Sequence, residues 1–205
     1  MIHVVIKDTI NALQTANISD ARKEVLQPLI EFIQNKLNDN QPILLNFICT
    51  HNSRRSHLSQ IWAQTMATYF DIPNVSCFSG GTEATAMFPK VIETLQKQGF
   101  EILHLATGNN PIYAIKYDQN ALPIIGFSKT YFHDFNPKTD YAAVVTCSSA
   151  DENCPVVLGA EKRLAIRYED PKVFDGTTEM DVKYWDKSLE IASEMYYIFS
   201  TISKQ

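Results

Sequence analysis

The chain alternates between short apolar runs and longer stretches in which apolar residues recur three or four positions apart. Residues 43–48 and 142–147 are near-continuous apolar runs of strand length, and 75–79 and 164–168 are shorter versions. Runs of this kind predict strands buried on both faces, as in a parallel sheet. Between them lie helical stripes. One is formed by Leu58, Ile61, Trp62, Met66, Tyr69 and Phe70, a second by Val91, Ile92 and Leu95 and closed by Gly99, and a third by Ile191, Met195, Ile198 and Phe199. Strand and helix in alternation predict an α/β fold of three layers, a central mostly parallel sheet flanked by helices. Ligands of such a sheet sit at the carboxyl ends of its strands.

Two stretches stand outside this alternation. Residues 1–40 predict helix, with Ser19 or Asp20 as a cap and Val25, Leu26, Leu29, Ile30, Ile33 and Leu37 on one side, while Pro28 predicts a kink or break. So much apolar surface must be covered, so the segment is expected as an N-terminal extension packed on the domain of residues 41–205 or on a second copy in a homodimer. The other stretch is an insertion at about 104–134. Its runs at 112–117 and 123–127, around Asp118-Gln119-Asn120, predict a hairpin or extended lobe.

Chemistry concentrates where the first buried strand ends. The run 43–48 leads into Cys49-Thr50-His51-Asn52-Ser53-Arg54-Arg55-Ser56, after which a helix begins. Five residues between Cys49 and Arg55 allow the chain to curl so that its amides converge on one point. The helix adds the positive end of its dipole. This is a cradle for a tetrahedral oxyanion, with residues 50–56 as its lining. A thiol at its rim is favoured as thiolate, and Arg55 offers two parallel donors to two oxygens of one anion. Asn52 and Ser53 can brace the loop through their side chains.

The remaining cysteines extend that reading. Cys147 ends the second buried run, and Cys154 follows it after a polar segment. The start of the chain carries charges and no long apolar core, so a reducing, cytoplasmic setting is expected. There a cysteine pair points to redox or metal chemistry before a structural bridge. The histidines lack paired ligand spacing, so no metal is expected. Composition adds exclusions. With 205 residues, 45% apolar content and a net charge of −5, the chain can bury a full core and lacks the basic surface of a nucleic-acid partner. No apolar run approaches the ~20 residues of a membrane helix.

Residues 47–56 resemble the phosphate loop of the low-molecular-weight protein tyrosine phosphatase superfamily, in particular its thioredoxin-coupled arsenate reductases. Segments 78–84, 89–100, 144–155 and 168–171 agree in order, and the likeness spans roughly residues 42–202. It implies that Cys49 attacks arsenate, that Cys147 attacks Cys49, and that Cys154 then closes a Cys147–Cys154 disulfide that a thioredoxin-type reductant reopens. No tightly bound cofactor is implied. Asp170, before Pro171, becomes the general acid. The alternative within the same likeness is hydrolysis of a phosphomonoester, phosphotyrosine above all, through a Cys49 phospho-enzyme. The substrate is arsenate or a phosphate-bearing molecule in either case. Departures are His51, where these loops commonly carry Gly; Arg54, where many of the reductases carry a further Cys; and Gln60, where several carry a carboxylate that helps hold potassium. Lys172-Val173-Phe174 follows Asp170-Pro171 in place of the tyrosines that wall an aryl slot in the phosphatases. Phe174, Tyr113, Tyr131 and Phe132 are the aromatic candidates for that wall.

Overall fold

The structure is a computed structural model that describes residues 1–13, 17–153 and 156–204. Its centre is a parallel sheet of β1 (Ile43–Cys49), β2 (Val75–Gly81), β6 (Tyr141–Val145) and β7 (Ala160–Ala165), in the order β2-β1-β6-β7. The two inner strands are buried almost throughout, which is why they read as unbroken apolar runs. The outer strand β7 lies upstream of the expected 164–168. It is an edge strand that carries Glu161, Lys162 and Arg163, and a half-exposed edge leaves no continuous apolar run to read.

Helix α3 (Arg55–Tyr69) buries the predicted stripe against the sheet and against α6 (Met180–Thr201), while α4 (Pro89–Lys97) packs on α6. Pro89 stands in the first turn of α4, where a missing N–H costs nothing, and the chain turns out of it through Gly99 at φ +99°. The short α5 (Ser148–Asn153) follows β6. No described helix is long and apolar enough to cross a membrane.

The N-terminal segment forms α1 (Val4–Leu13) and α2 (Asp20–Asn38), which pack on α6 and, for α2, on β1 and β7. Ser19 caps α2 by accepting from the Arg22 N–H at 3.3 Å. Leu26, Leu29, Ile30 and Ile33 are buried against the chain's own domain, while Val25 faces outward. Of the kink or break expected at Pro28, the break does not occur; α2 runs through it. Proline removes one ladder bond, and burial of Leu26, Leu29 and Ile30 around it offsets that loss. The Pro28 carbonyl also accepts from Lys162 Nζ at 3.4 Å, which ties α2 to β7.

One polar knot fastens this extension. Arg22 on α2 donates to both carboxylate oxygens of Glu194 on α6, at 2.6 and 2.9 Å, and lies over the Tyr168 ring. The Tyr168 hydroxyl donates to Glu194 at 2.7 Å. Burial, then the Glu194 charge, raises the Tyr168 phenol well above its ordinary range, so it stays a donor.

The insertion builds a second sheet, antiparallel, of β3 (Glu101–Ala106), β4 (Ile112–Lys116) and β5 (Ile124–Gly126) in that order. A third strand joins the expected hairpin. It begins at Glu101, before the anticipated boundary, and its mostly exposed residues show no alternation. Residues 129–131 then lie along the end of β2, with Gly81 N–H donating to Lys129 O and Tyr131 N–H to Gly81 O, both at 2.9 Å. A Cβ on Gly80 would stand 2.4 Å from the Tyr131 backbone, so this pairing requires glycine.

His57 on α3 is fully buried beneath that junction, its Nδ1 3.3 Å from Ser79 Oγ. Burial, reinforced by the nearby Lys129 charge, lowers its pKa to about 3. Between that value and the ordinary 6.5 the unfolded chain binds the extra proton. Stability is therefore expected to fall as pH drops from about 6.5 towards 3. His57→Phe should flatten that limb in urea unfolding followed across the range. Glu194→Gln should cost about 2–3 kcal/mol by the same assay at pH 7, because a carboxylate that serves Arg22 and Tyr168 loses its charge.

Candidate active site

Residues 49–56 connect β1 to α3, and their backbone is turned so that the carbonyls point away from the curl. Cys49 O accepts from Thr82 N–H at 3.1 Å; Thr50 O from Glu83 N–H and Thr82 Oγ1, both at 3.0 Å; His51 O from Ser128 Oγ at 2.9 Å and Thr85 Oγ1 at 3.1 Å; Ser53 O from Phe88 N–H at 3.0 Å. In a planar trans peptide the N–H points opposite to the carbonyl of its own unit. The amides of residues 50, 51, 52 and 54 therefore face the inside of the curl. Among the described residues, no N–H of residues 51, 52 or 54 donates to a protein acceptor. Converging amides without protein partners are an anion-binding concavity.

Asn52 makes the turn. It holds φ at +44°, a region asparagine tolerates better than most residues. Its Oδ1 accepts from Lys129 N–H at 2.9 Å and its Nδ2 donates to Ser56 Oγ at 2.8 Å. Since that hydroxyl already accepts from Asn52, its own proton is free for the Cys49 sulfur, 3.1 Å away. Gly81 lies against this turn. A Cβ there would stand 2.7 Å from Asn52 N and from Thr50 O, so the second strand can approach the loop this closely only without a side chain.

The two arginines part company. Arg55 is the first residue of α3, and its Nη1 donates to Tyr168 O at 3.0 Å while Nη2 pairs with Asp170 Oδ2 at 2.5 Å. Its Nε is buried without a protein partner. Asp170 caps the 3₁₀ turn Pro171–Phe174 by accepting from Lys172 N–H at 3.1 Å, which fixes the carboxyl beside the guanidinium. Arg54 points the other way. Its Nε donates to Tyr184 Oη and its Nη2 to Asp175, both at 2.6 Å, and its guanidinium lies 4.0 Å from the centroid of the Phe88 ring. The Arg54 side chain thus ties the loop to α6, and only its backbone faces the cradle. His51 sits half-exposed at the rim, 3.0 Å from Glu83.

Cys147 is the second buried sulfur near the loop. It follows β6, the strand next to β1, with Val145 opposite Ile48 and Thr146 N–H donating to Ile48 O at 2.7 Å. Its Sγ is 3.5 Å from Thr50 Oγ1, and Ala150 N–H donates to it at 3.4 Å. Cys49 and Cys147 share one small apolar cluster with Ile48, Val145 and Ala150. Cys154 and Pro155 lie outside the described residues. Cys77 is on β2, where burial pushes its thiol far up.

Several residues of the site had no role in the sequence reading. Ser128 and Lys129 reach the loop from the insertion, with Ser128 braced by Asn110 at 3.1 and 2.7 Å. Tyr184 and Asp175 hold Arg54. Gln60 donates to Cys77 O at 3.0 Å, inside the core. Of the aromatic candidates, Tyr113 is buried in the second sheet against His104, whereas Phe132 is 63% exposed. Tyr113 is therefore unable to wall a substrate slot.

No protein-family model matches the chain. An arsenate reductase of Staphylococcus epidermidis is 30% identical over 125 residues, which span 61% of this chain and 76% of that protein. Among solved structures, a low-molecular-weight protein tyrosine phosphatase from T. tengcongensis aligns with a TM-score of 0.54 at 14% identity, over 78% of this chain and 99% of the other. An arsenate reductase in its phosphate-binding state aligns at 0.50 and 18%, over 78% and 99%. The structures match the four-stranded sheet and its flanking helices, and the sequence match reaches a curated relative over three quarters of its length. The chain belongs to the low-molecular-weight protein tyrosine phosphatase superfamily, near its arsenate reductases.

Proposed function

We propose that the chain reduces arsenate through a relay of three thiols, Cys49, Cys147 and Cys154. The observation that carries this reading is a second sulfur, Cys147, buried beside the cradle at the end of the strand adjoining that of Cys49. In the relay the Cys49 thiolate displaces a hydroxyl of arsenate, which leaves as water, and forms an S–As bond. The amides of residues 50–56 and the Arg55 guanidinium carry the oxyanion charge. The Cys147 thiolate then attacks the Cys49 sulfur. An S–S bond forms, the S–As bond breaks, and its electron pair reduces As(V) to As(III), released as arsenite. Cys154 attacks Cys147 in turn, restoring the Cys49 thiolate and leaving a Cys147–Cys154 disulfide for a thioredoxin-type dithiol to reduce.

The segment between the two resolving thiols is a six-residue helix held by one buried apolar anchor, Ala150, and by the ion pairs of Asp151 with Arg163 and Arg167, so the local opening that the exchange requires must release few but definite contacts. Asp170 is the nearest carboxyl to Arg55 and the candidate proton donor to the departing oxygen.

The Asp170–Arg55 pair favours a second reading, hydrolysis of a phosphomonoester through a Cys49 phospho-enzyme. A cleft of about 450 Å³ beside Asp170, lined by Pro171, Val173, Phe174 and Lys183 among others, could take the leaving group. Tyr113 is withdrawn from that role, and Phe174 remains.

With arsenate, thioredoxin, its reductase and NADPH, the wild type should consume NADPH, and Cys49→Ser, Cys147→Ser and Cys154→Ser should each abolish turnover. Intact-mass analysis of Cys154→Ser after one arsenate addition should show a Cys49–Cys147 bridge. An absence of NADPH consumption, with p-nitrophenyl phosphate turnover that persists in Cys147→Ser but not in Cys49→Ser, would give the site to the second reading. In either chemistry Arg55→Lys should lower kcat/KM by about 10²-fold or more, because a point charge replaces a two-pronged donor.

A further inference from the structure

Lys129 takes no part in the relay, yet its backbone is bonded to the cradle and its side chain is a cation shut away from solvent. It is 1% exposed. Its Nζ donates to Phe127 O at 3.3 Å and lies 4.5 and 5.5 Å from the ring centroids of Phe127 and Phe135. No carboxylate contributes to its environment; burial alone draws the ammonium down to about 7. The titratable group that feels it from α3 is His57, which the combined effect of burial and this charge keeps neutral. Ser79 of β2 and Asn52 of the loop present only uncharged groups on the same side. A buried ammonium without a counter-charge is costly unless something nearby compensates it.

Among the described residues no carboxylate compensates it, and the anion of the proposed function is the charge that would. The backbone of Lys129 is bonded to Asn52, Asn52 to Ser56, and Ser56 stands against the Cys49 sulfur, so the residue is mechanically part of the loop that receives an anion. We propose that Lys129 is a positioning residue of the oxyanion site: its backbone amide sets Asn52, and its buried ammonium is the electrostatic counterpart of the anion held by residues 50–56. This rests on reading those residues as an anion cradle, and it assigns to the insertion a part in binding. Between charges in a low-dielectric interior the interaction is reciprocal, so bound anion holds the proton on Lys129 and a protonated Lys129 tightens anion binding.

Sulfate is the suitable probe, because it stays a dianion throughout the neutral range. The full chain is titrated with sodium sulfate by calorimetry at pH 7.5 in two buffers of different ionisation enthalpy, so that the heat reports protons taken up with the anion. Wild type is expected to take up a fraction of a proton on binding. Lys129→Met should lose that fraction and bind sulfate about fivefold or more weakly, while its thermal midpoint holds or rises because an unpaired buried charge has gone. A residue with a merely structural role would lower the midpoint and leave proton uptake unchanged. Sulfate binding that disappears in Arg55→Ala but is the same in Lys129→Met, uptake included, overturns the role of Lys129 and leaves the cradle standing. A wild type that binds no sulfate overturns both. Should Lys129→Met fail to fold, ¹³C-lysine spectra of the wild type decide: the buried lysine must titrate at higher pH with saturating sulfate, and an unmoved titration refutes the proposal.

Discussion

A peptide unit presents its carbonyl on one side and its N–H on the other, and the active loop exploits that constraint. Four carbonyls between Cys49 and Ser53 are drawn outward by Thr82, Glu83, Thr85, Phe88 and Ser128, and the amides are thereby left facing in. The cradle is consequently made by its surroundings. Without the segment after β2 and the return strand of the insertion, the same eight residues would be free to satisfy their amides locally or in water. Every later feature, from the hydroxyl beside Cys49 to the guanidinium of Arg55, is useful only because that inversion of the loop is enforced.

The two additions to the core domain both end at this loop. The insertion supplies Ser128 and the backbone of Lys129. The N-terminal extension acts at one remove: Arg22 grips Glu194, Glu194 receives the hydroxyl of Tyr168, and the carbonyl of Tyr168 accepts from Arg55. Arg54 forms a third tie, to Asp175 and Tyr184, so the loop is braced from the insertion, from α6 and from the strand end before Asp170. A nucleophile that must meet an oxyanion at fixed distance benefits from such bracing, because misplacement by an ångström is costly in rate.

The sulfurs differ in what surrounds them, and that difference supports the proposed parts. Cys77 is enclosed by β2 and α3 and has only apolar burial acting on it. Cys49 has a hydroxyl and inward amides, and Cys147 has a hydroxyl and the Ala150 N–H. Groups that can stabilise sulfur as an anion therefore surround the two cysteines at strand carboxyl ends and are absent around the third.

Much of this was legible in one dimension. Buried strands, the amphipathic stripes, the spacing from Cys49 to Arg55 and the late Asp170-Pro171 are local patterns set by side-chain periodicity and chain geometry, and periodicity survives without a partner. The start of β7 and the continuity of α2 through Pro28 were not legible, because an edge strand carries charges and a helix held by burial tolerates a lost bond. The opposite fates of Arg54 and Arg55 could not be read from neighbouring identical letters; they depend on Tyr184, Asp175, Tyr168 and Asp170, all more than a hundred positions away. Lys129 had no place in the sequence reading for the same reason. The residues alone marked out a set of candidate oxyanion donors; which of them turn towards the cradle was left to tertiary packing, since a donor's direction is fixed by what holds its other end.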